Sequence, residues 1–173
     1  MNRQHTAPYK LGIDLGGPCL ISPPEKTARG YRRTGITPNA LDAVRLLMDF
    51  SRFNPAVLAE IHFISQCTPE IEAAKRERLP ELGFFSYTGA KPEQIHFCRN
   101  PEDKASYCID TGIDYLIEDR LQIMAYALPH IKKGYLFAPN SIELLQFPDV
   151  VEKAILVNGW HDLTPILFQS FYT

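Results

Sequence analysis

Five side chains in this sequence have the chemical types that phosphoryl transfer needs. Asp14 follows the apolar run YKLGI, Ser65 follows EIHFI, Lys104 lies in NPEDKASYC, and the pair Glu118-Asp119 follows DYLI. Paired carboxylate positions can hold Mg²⁺ in an oxygen-only shell, while a hydroxyl and an ammonium group can hold phosphoryl oxygens as charge redistributes. Together the five residues predict metal-assisted chemistry on a phosphorylated ligand, provided that the fold brings them to one place.

Short apolar runs rich in β-formers alternate with helical patterns along the chain. The runs are YKLGI, EIHFIS, QIHFC, DYLIE and GYLFAP. About five strands separated by helices predict an α/β protein, a three-layer Rossmann-like domain with a parallel sheet covered on both faces. Ligands of such sheets bind outside the carboxyl ends of the strands. The five candidate residues all follow a predicted strand directly or after a short loop, so we expect them at that edge.

Helix boundaries can be read from capping residues. Thr37 and Thr68, each followed by a proline, are predicted N-caps, and Pro101 is predicted to start a helix that Gly112 ends. The segment from about 16 to 35 has no clear periodicity and is crowded with proline, glycine and basic residues. We expect it to leave the sheet as a short hairpin or lid, a minimal cap within a single domain that spans residues 1–173.

The composition narrows the function classes. The chain has 173 residues, 45% hydrophobic and 22% charged, with a formal net charge of -2. This balance predicts an ordinary globular protein without general nucleic-acid or membrane binding. The chain lacks both an apolar run of about 18 residues and a signal-peptide pattern, so the cytoplasm is the expected compartment. Four cysteines without a C-x-x-C pair predict reduced, mostly buried thiols.

The candidate residues occur in the order typical of one family. Asp14 matches the nucleophile of the first motif of haloacid dehalogenase-like (HAD) hydrolases, and Ser65 matches the strand-end hydroxyl of the second. Lys104 matches the lysine of the third motif, and Glu118-Asp119 matches the paired acid of the fourth. The chain therefore resembles a small-capped HAD phosphatase. This resemblance implies an aspartyl-phosphate intermediate at Asp14, Mg²⁺ as cofactor and a small phosphorylated molecule as substrate.

The resemblance covers roughly Tyr9 to Leu167 and includes the segments LFAPN and LVNGWHDL, which are similar to the tail of small members of the family. It assigns a phosphate-binding set and a metal-binding set. The implied phosphate ligands are Ser65, Lys104 and Gly17. The implied metal ligands are Asp14, the backbone carbonyl of Gly16, Glu118 and Asp119, with the choice between the two acids left open. Because a short cap leaves the site open, a neighbouring subunit could serve as its lid, and a homo-oligomer is compatible with this picture.

One position departs from the family pattern. HAD phosphatases carry a second aspartate two residues after the nucleophile, where it acts as general acid and base, and this chain has Gly16 there. Loss of such a group typically costs about 10²- to 10⁴-fold in rate, most for poor leaving groups. One interpretation is a divergent hydrolase that uses activated phosphates or another proton donor, for which Glu25, Arg29 and Tyr31 are candidates. Another is a pseudoenzyme that binds a phosphorylated ligand or a protein.

Two further enzyme classes are less favoured. A phosphonate-cleaving relative needs a lysine from a helical cap, and the segment at 16–35 offers only Lys26 and is too short for such a cap. Sugar kinases of the actin and hexokinase type also begin with Ile-Asp-Leu-Gly-Gly, but they pair two similar domains. Their first strand continues into a hairpin, whereas Pro18 and Cys19 follow the glycines here.

Each candidate residue also has an ordinary structural interpretation. Asp14 and Ser65 could satisfy local turns, Lys104 could be a solvated helix residue, and Glu118-Asp119 could cap a helix. Their joint occurrence at one predicted sheet edge favours a site. The ordinary interpretation is preferred for residues outside this set: a solvated loop for Arg29, Arg32 and Arg33, sheet-face or core positions for His62 and His96, and a packing anchor for Trp160.

Overall fold

The computed structural model describes residues 7–21, 26–27, 30–31 and 35–173, with the backbone path alone at 26–27 and 30–31. Six parallel strands form one sheet in the order β5-β4-β1-β6-β7-β8, and two short strands form a separate antiparallel pair. The strands are β1 (Tyr9–Asp14), β2 (Lys26–Thr27), β3 (Gly30–Tyr31), β4 (Leu58–Gln66), β5 (Ile95–Cys98), β6 (Tyr115–Glu118), β7 (Lys133–Phe137) and β8 (Ile155–Val157).

Eight α-helices connect and cover the strands in the described part of the chain. They are α1 (Ala40–Phe53), α2 (Pro69–Glu81), α3 (Phe84–Thr88), α4 (Pro101–Thr111), α5 (Leu121–Ala127), α6 (Ser141–Gln146), α7 (Pro148–Lys153) and α8 (Trp160–Ser170). Single 3₁₀ turns lie at Pro92–Gln94 and Leu128–His130. None of the described helices combines the length and apolar character that a membrane span requires.

The predicted α/β architecture is confirmed, with six main strands in place of about five. The additional strand, β8, has only three residues at the edge of the sheet. A run this short carries little periodic signal, and it gains its hydrogen-bonding partner only through the long-range pairing of Phe137 with Val157. The predicted excursion at 16–35 contains the hairpin of β2 and β3.

Hydrophobic packing holds the sheet from both faces. One cluster joins Leu11 and Ile13 of β1 with residues of α1, α3 and α8, and another joins Ile64 and Leu116 with residues of α4, α5 and α7. All four residues of β6 are buried, as expected for a central strand of a covered parallel sheet. Trp160, 1% exposed, anchors α8 against β7, in agreement with the predicted packing role.

The predicted helix boundaries agree with the structure at α2 and α4 but not at α1. Thr68 caps α2, and Gly112 ends α4 in a left-handed conformation with φ of 70°. The prediction that Thr37 caps α1 is wrong, because the helix begins at Ala40 after Asn39. The Thr37 hydroxyl instead donates a hydrogen bond to the Gly17 carbonyl at 2.6 Å. The local pattern would use the Thr37 hydroxyl as a helix cap, but in the fold this hydroxyl bonds to a residue distant in sequence.

Candidate phosphoryl-transfer site

The strand register brings three of the candidate residues to one edge of the sheet. Asp14 pairs with Ile64 across the β1-β4 interface, and Ile13 pairs with Ile117 across the β1-β6 interface. Ser65 therefore lies one residue beyond the level of Asp14 on one side, and Glu118 lies beside Asp14 on the other. Both are at the carboxyl ends of their strands, where ligands of open parallel sheets bind.

Lys104, on helix α4, bridges Asp14 of β1 and Glu118 of β6. Its ammonium group donates to Asp14 Oδ1 at 2.6 Å and forms an ion pair with Glu118 Oε2 at 2.6 Å. Lys104 and Glu118 are fully buried, and Asp14 is 6% exposed. Burial by itself would lower the pKa of Lys104, but Asp14 and Glu118 hold that pKa above its ordinary value. The lysine is therefore a fixed positive charge beside the candidate nucleophile.

The paired acids have different surroundings. Glu118 Oε1 accepts the backbone N–H groups of Asp119 and Arg120 at 3.1 Å each, while Oε2 faces Lys104. Asp119 instead points toward the loop after β1, where a Cβ on Gly17 would overlap its Oδ2. Gly17 has φ of 86°, so both its conformation and the close carboxylate favour glycine. Because Gly17 has no Cβ, the carboxylate of Asp119 can lie close to the backbone of this loop.

Hydrogen bonds from distant elements hold that loop in place. Gly17 N–H donates to the Leu20 carbonyl and Leu20 N–H donates to the Leu15 carbonyl, both at 2.8 Å. The Trp160 indole donates to the Pro18 carbonyl at 2.6 Å, in addition to the Thr37 contact with Gly17. The backbone that follows the candidate nucleophile is therefore tied to α8 and to the start of α1.

The three carboxylates form a group that could hold a cation. Asp14, Glu118 and Asp119 each offer one oxygen, and these oxygens all lie within 4.8 Å of one another. They line a small cleft of about 110 Å³ together with Ser65 and other polar residues. A separate pocket of about 550 Å³ shares Asp119 with this cleft, is also lined by Gly17 and extends to Trp160. The small cleft suits a phosphoryl group, and the larger pocket suits the remainder of a ligand.

The sheet order, its covering helices and this carboxyl-edge site can be compared with known proteins. No protein-family model matches the sequence, and no curated protein matches it. Among solved structures, D,D-heptose 1,7-bisphosphate phosphatase from B. bronchiseptica, in complex with magnesium and phosphate, aligns with a TM-score of 0.60. The alignment covers 94% of this chain and 99% of that chain at 12% identity. The protein has the HAD-like fold.

Two further solved HAD-like phosphatases show the same likeness. Cobalt-bound deoxy-D-mannose-octulosonate 8-phosphate phosphatase from Haemophilus influenzae has a TM-score of 0.60, with 12% identity over 95% of this chain and 90% of that chain. The 3-deoxy-D-manno-octulosonate 8-phosphate phosphatase from Moraxella catarrhalis, in complex with magnesium, phosphate and KDO, has a TM-score of 0.54. That match has 10% identity over 95% of this chain and 87% of that chain. The resemblance inferred from motifs thus holds at the level of fold.

The structure brings the predicted site residues together. Asp14, Ser65, Gly16, Glu118 and Asp119 line the small cleft, and Lys104 contacts two of them from behind. The assignment of individual roles to these residues stays a prediction. For Gly17, the backbone N–H already donates to Leu20, so the role that the geometry supports is to make space for Asp119.

The candidate substitutes for the missing proton donor, Glu25, Arg29 and Tyr31, lie outside the described side chains, as do Arg32 and Arg33. The histidines agree with the ordinary interpretation. His62 contacts Tyr107 and Glu60 on the α4 side of the sheet, and His96 stacks near the same tyrosine. All four cysteines are free and buried, as predicted.

Sequence reasoning missed one member of the site, Lys75 of α2. Its side chain lines the same cleft and donates to Ser65 Oγ at 2.8 Å. The available signal was its spacing, because Ile71, Lys75 and Leu79 recur every four residues and so share one helix face. A lysine aligned with apolar residues on a covering helix points toward the sheet, and Lys75 is only 8% exposed.

Because its carboxylates are crowded, we expect cation binding at this site to depend on pH. Burial, reinforced by the charges of Asp14 and Glu118, raises the pKa of Asp119 to about 9. Since this pKa exceeds that of an ordinary aspartate, protonation of Asp119 stabilises the folded, metal-free protein. This contribution to the free energy of unfolding is complete below about pH 4 and is lost as pH rises through 9. A bound cation replaces the proton and reverses that loss.

We therefore expect Mg²⁺ to raise Tm more at about pH 8.5 than at about pH 6, and its apparent affinity to rise over the same interval. Differential scanning fluorimetry with and without Mg²⁺ across this range measures both. Asp119→Asn should stabilise the metal-free protein at high pH and remove most of the Mg²⁺ effect. A Mg²⁺ effect that is equal at the two pH values in the wild type would contradict the assignment of Asp119 to the cation site.

Proposed function

We propose that the protein is a Mg²⁺-dependent phosphatase of the HAD type that acts on a small phosphorylated molecule. The observation that supports this most strongly is the convergence of Asp14, Ser65, Lys104 and the Glu118-Asp119 pair at the carboxyl edge of a HAD-like sheet. The structural neighbours are phosphatases crystallised with magnesium or cobalt, and two of them also with phosphate. Their common chemistry is removal of a phosphoryl group.

In this proposal Asp14 is the nucleophile. A carboxylate oxygen of Asp14 attacks phosphorus, the bond from phosphorus to the leaving oxygen breaks, and water later hydrolyses the aspartyl phosphate to release inorganic phosphate. Burial raises the pKa of Asp14 to about 6, opposed by the charge of Lys104. The carboxylate is therefore mainly ionised at neutral pH. Ser65 and Lys104 hold the group in line for attack and stabilise the negative charge on its oxygens.

The oxygen-only donor set fits Mg²⁺. Glu118 already serves Lys104 and two backbone N–H groups, so the direct ligands are Asp119 and Asp14, joined by the carbonyl of Gly16. The cation supplies positive charge that neutralises the phosphoryl oxygens when bound. Glu118 acts as a positioning residue, because it fixes Lys104 and the turn that carries Asp119.

Gly16 limits the substrates that this site can use. With no carboxyl group two residues after the nucleophile, the leaving oxygen receives no proton from that position, so leaving groups that are stable as anions are favoured. Acyl phosphates and aryl phosphates meet this condition. The 550 Å³ pocket beside Asp119 has the size of a small-molecule site, which is typically about 300–1,000 Å³. It is the proposed position of the leaving group.

The same feature favours a second candidate function. A site that keeps its anion and cation ligands but lacks the proton donor at Gly16 can bind Mg²⁺ and a phosphorylated ligand without turnover. Such a protein would act as a ligand-binding or protein-binding module. The two functions differ in one observable, which is the release of inorganic phosphate.

A substrate screen with Mg²⁺ separates the two. The panel includes sugar phosphates, aryl phosphates and acyl phosphates, with inorganic phosphate release as the readout. Turnover that requires Mg²⁺ supports the phosphatase. Thermal stabilisation by Mg²⁺ together with a phosphate analogue, without turnover of any substrate, supports the binding module. Absence of both effects contradicts the phosphoryl site itself.

Restoring the missing carboxyl group tests the proton-donor argument. Gly16→Asp should raise hydrolysis of an alkyl phosphate by at least about tenfold, a modest share of the usual contribution of a general acid and base. The gain should be smaller for an aryl phosphate, whose leaving group needs less help. Rates of both substrates are compared at equal Mg²⁺, with Gly16→Ala as the matched control. A folded, Mg²⁺-binding Gly16→Asp variant with no gain on either substrate would show that another defect limits the rate.

A further inference from the structure

Lys75 is a buried cation that the family motifs do not include. Its side chain reaches the cleft from α2, which begins at the N-cap Thr68, shortly after Ser65. The residue is 8% exposed, and the ion pairs formed among described residues do not include it. An ammonium group taken out of water needs anions or several acceptors in its place.

The hydrogen bonding of Lys75 is incomplete among the described residues. An ammonium group carries three donors, and the hydrogen bond to Ser65 Oγ at 2.8 Å uses one of them. The group lines the cleft that also contains Asp14, so its remaining donors are near the space in front of the nucleophile. Donors in this position suit an anion with several acceptor oxygens.

The other cations at the cleft are already engaged. Lys104 is bound between Asp14 and Glu118. Arg120 donates to the side-chain oxygen of Gln66 at 3.0 Å and approaches that of Gln122 at 3.5 Å. Lys75 is therefore the cation at the described cleft whose one hydrogen-bonding partner is a neutral hydroxyl, and that hydroxyl is the proposed phosphate ligand.

We propose that Lys75 is a second phosphate-binding cation in addition to Lys104. Its ammonium group contacts the phosphoryl oxygens beside Ser65 and also orients the Ser65 hydroxyl. The inference rests on the proposed phosphoryl site and extends it by a residue from α2. Three carboxylates form the acidic side of the cleft, and among the described residues Lys104 is the one cation paired with them, so a doubly charged phosphoryl group that enters needs further positive charge. Lys75 and the cation held by Asp14 and Asp119 offset that repulsion from two sides.

The test is the affinity for inorganic phosphate in the presence of Mg²⁺, measured by titration calorimetry. Lys75→Met removes the charge from an unbranched side chain of similar length, and we expect phosphate affinity to fall about 10- to 100-fold, as for the loss of a hydrogen bond to a charged group. Lys75→Arg should retain more affinity than Lys75→Met. Lys153→Met, the same change at an exposed position of α7, should leave the affinity unchanged.

A purely structural role predicts a different result. If Lys75 mainly holds α2 against the sheet, Lys75→Met should lower Tm in the absence of ligands and leave the phosphate affinity of the folded protein intact. We expect the ligand-free Tm to be unchanged or higher, and Mg²⁺ alone to stabilise Lys75→Met as it does the wild type. Where Lys75→Met does not fold, Lys75→Gln, which keeps a donor for Ser65, replaces it with the same expected loss.

The outcomes also separate this inference from the proposed activity. Phosphate binding that is lost in Lys75→Met, in a protein that turns over none of the substrates, supports Lys75 and contradicts only the phosphatase. Where there is turnover, Lys75→Met should raise KM by more than it lowers kcat. Wild-type phosphate affinity in Lys75→Met, or a wild type that binds no phosphate with Mg²⁺, overturns the inference.

Discussion

Replacing Asp14 with asparagine should abolish phosphate release, with a fall of at least about 10³-fold, because the amide cannot form the aspartyl phosphate. Asparagine has the shape of aspartate, and Lys104 keeps its ion pair with Glu118, so the fold should survive. Steady-state rates on the best substrate of the screen provide the measurement. Beryllium fluoride, a phosphoryl mimic that adds to an aspartate carboxylate, should raise Tm of the wild type with Mg²⁺ and not that of Asp14→Asn.

The matched control for this change is Asp110→Asn, an identical substitution at an exposed position of α4. It should have wild-type activity and a wild-type response to beryllium fluoride. Phosphate release by Asp14→Asn at more than about a tenth of the wild-type rate would exclude Asp14 as the nucleophile. The Tm shift with beryllium fluoride tests Asp14 even where the natural substrate is absent from the substrate panel.

Removal of the Lys104 charge should have the largest effect on stability. Lys104→Met leaves Asp14 and Glu118 as buried carboxylates without their counter-ion, and breaking a buried ion pair in this way typically costs about 3–5 kcal/mol. The free energy of unfolding is measured by urea titration at about pH 8 without Mg²⁺. The loss should be smaller at about pH 5, because burial raises the pKa of Asp14 to about 6 and protonation of Asp14 removes one uncompensated charge.

Two comparisons make this result specific. Lys132→Met removes the cation of a partly exposed ion pair with Asp114 and should change stability by less than about 1 kcal/mol. Adding Glu118→Gln to Lys104→Met should recover part of the loss, because one buried charge is then neutral. A cost for Lys104→Met no larger than that for Lys132→Met would contradict the buried charge network.

Much of the architecture was predictable because it depends on local patterns. Apolar runs of four to six residues mark β1, β5 and β6, and proline and glycine mark the ends of α4. The rule that ligands bind at the carboxyl ends of parallel strands then placed Asp14, Ser65 and Glu118 together before any contact was known. The structure agrees with that placement.

The errors and omissions share a physical cause, which is that partners distant in sequence decide the role of a side chain. Thr37 has the composition of an N-cap, yet its hydroxyl bonds to the loop at Gly17. Strand β8 exists through its pairing with β7, and a run of three residues does not predict it. Lys75 looks like one of several basic residues on a surface helix until the helix packs that face on the sheet.

The sequence by itself determined the chemical inventory, which is a strand-end aspartate, a hydroxyl, a lysine, a pair of acids and the absence of a carboxyl group at Gly16. Only the tertiary structure decided which partner each charged side chain meets. It pairs Lys104 with Asp14 and Glu118, turns Asp119 toward the Gly17 loop, and leaves Lys75 with Ser65. These assignments depend on distances of a few ångströms across strands and helices. Sequence spacing fixes the face on which a residue lies, but not the partner that it meets.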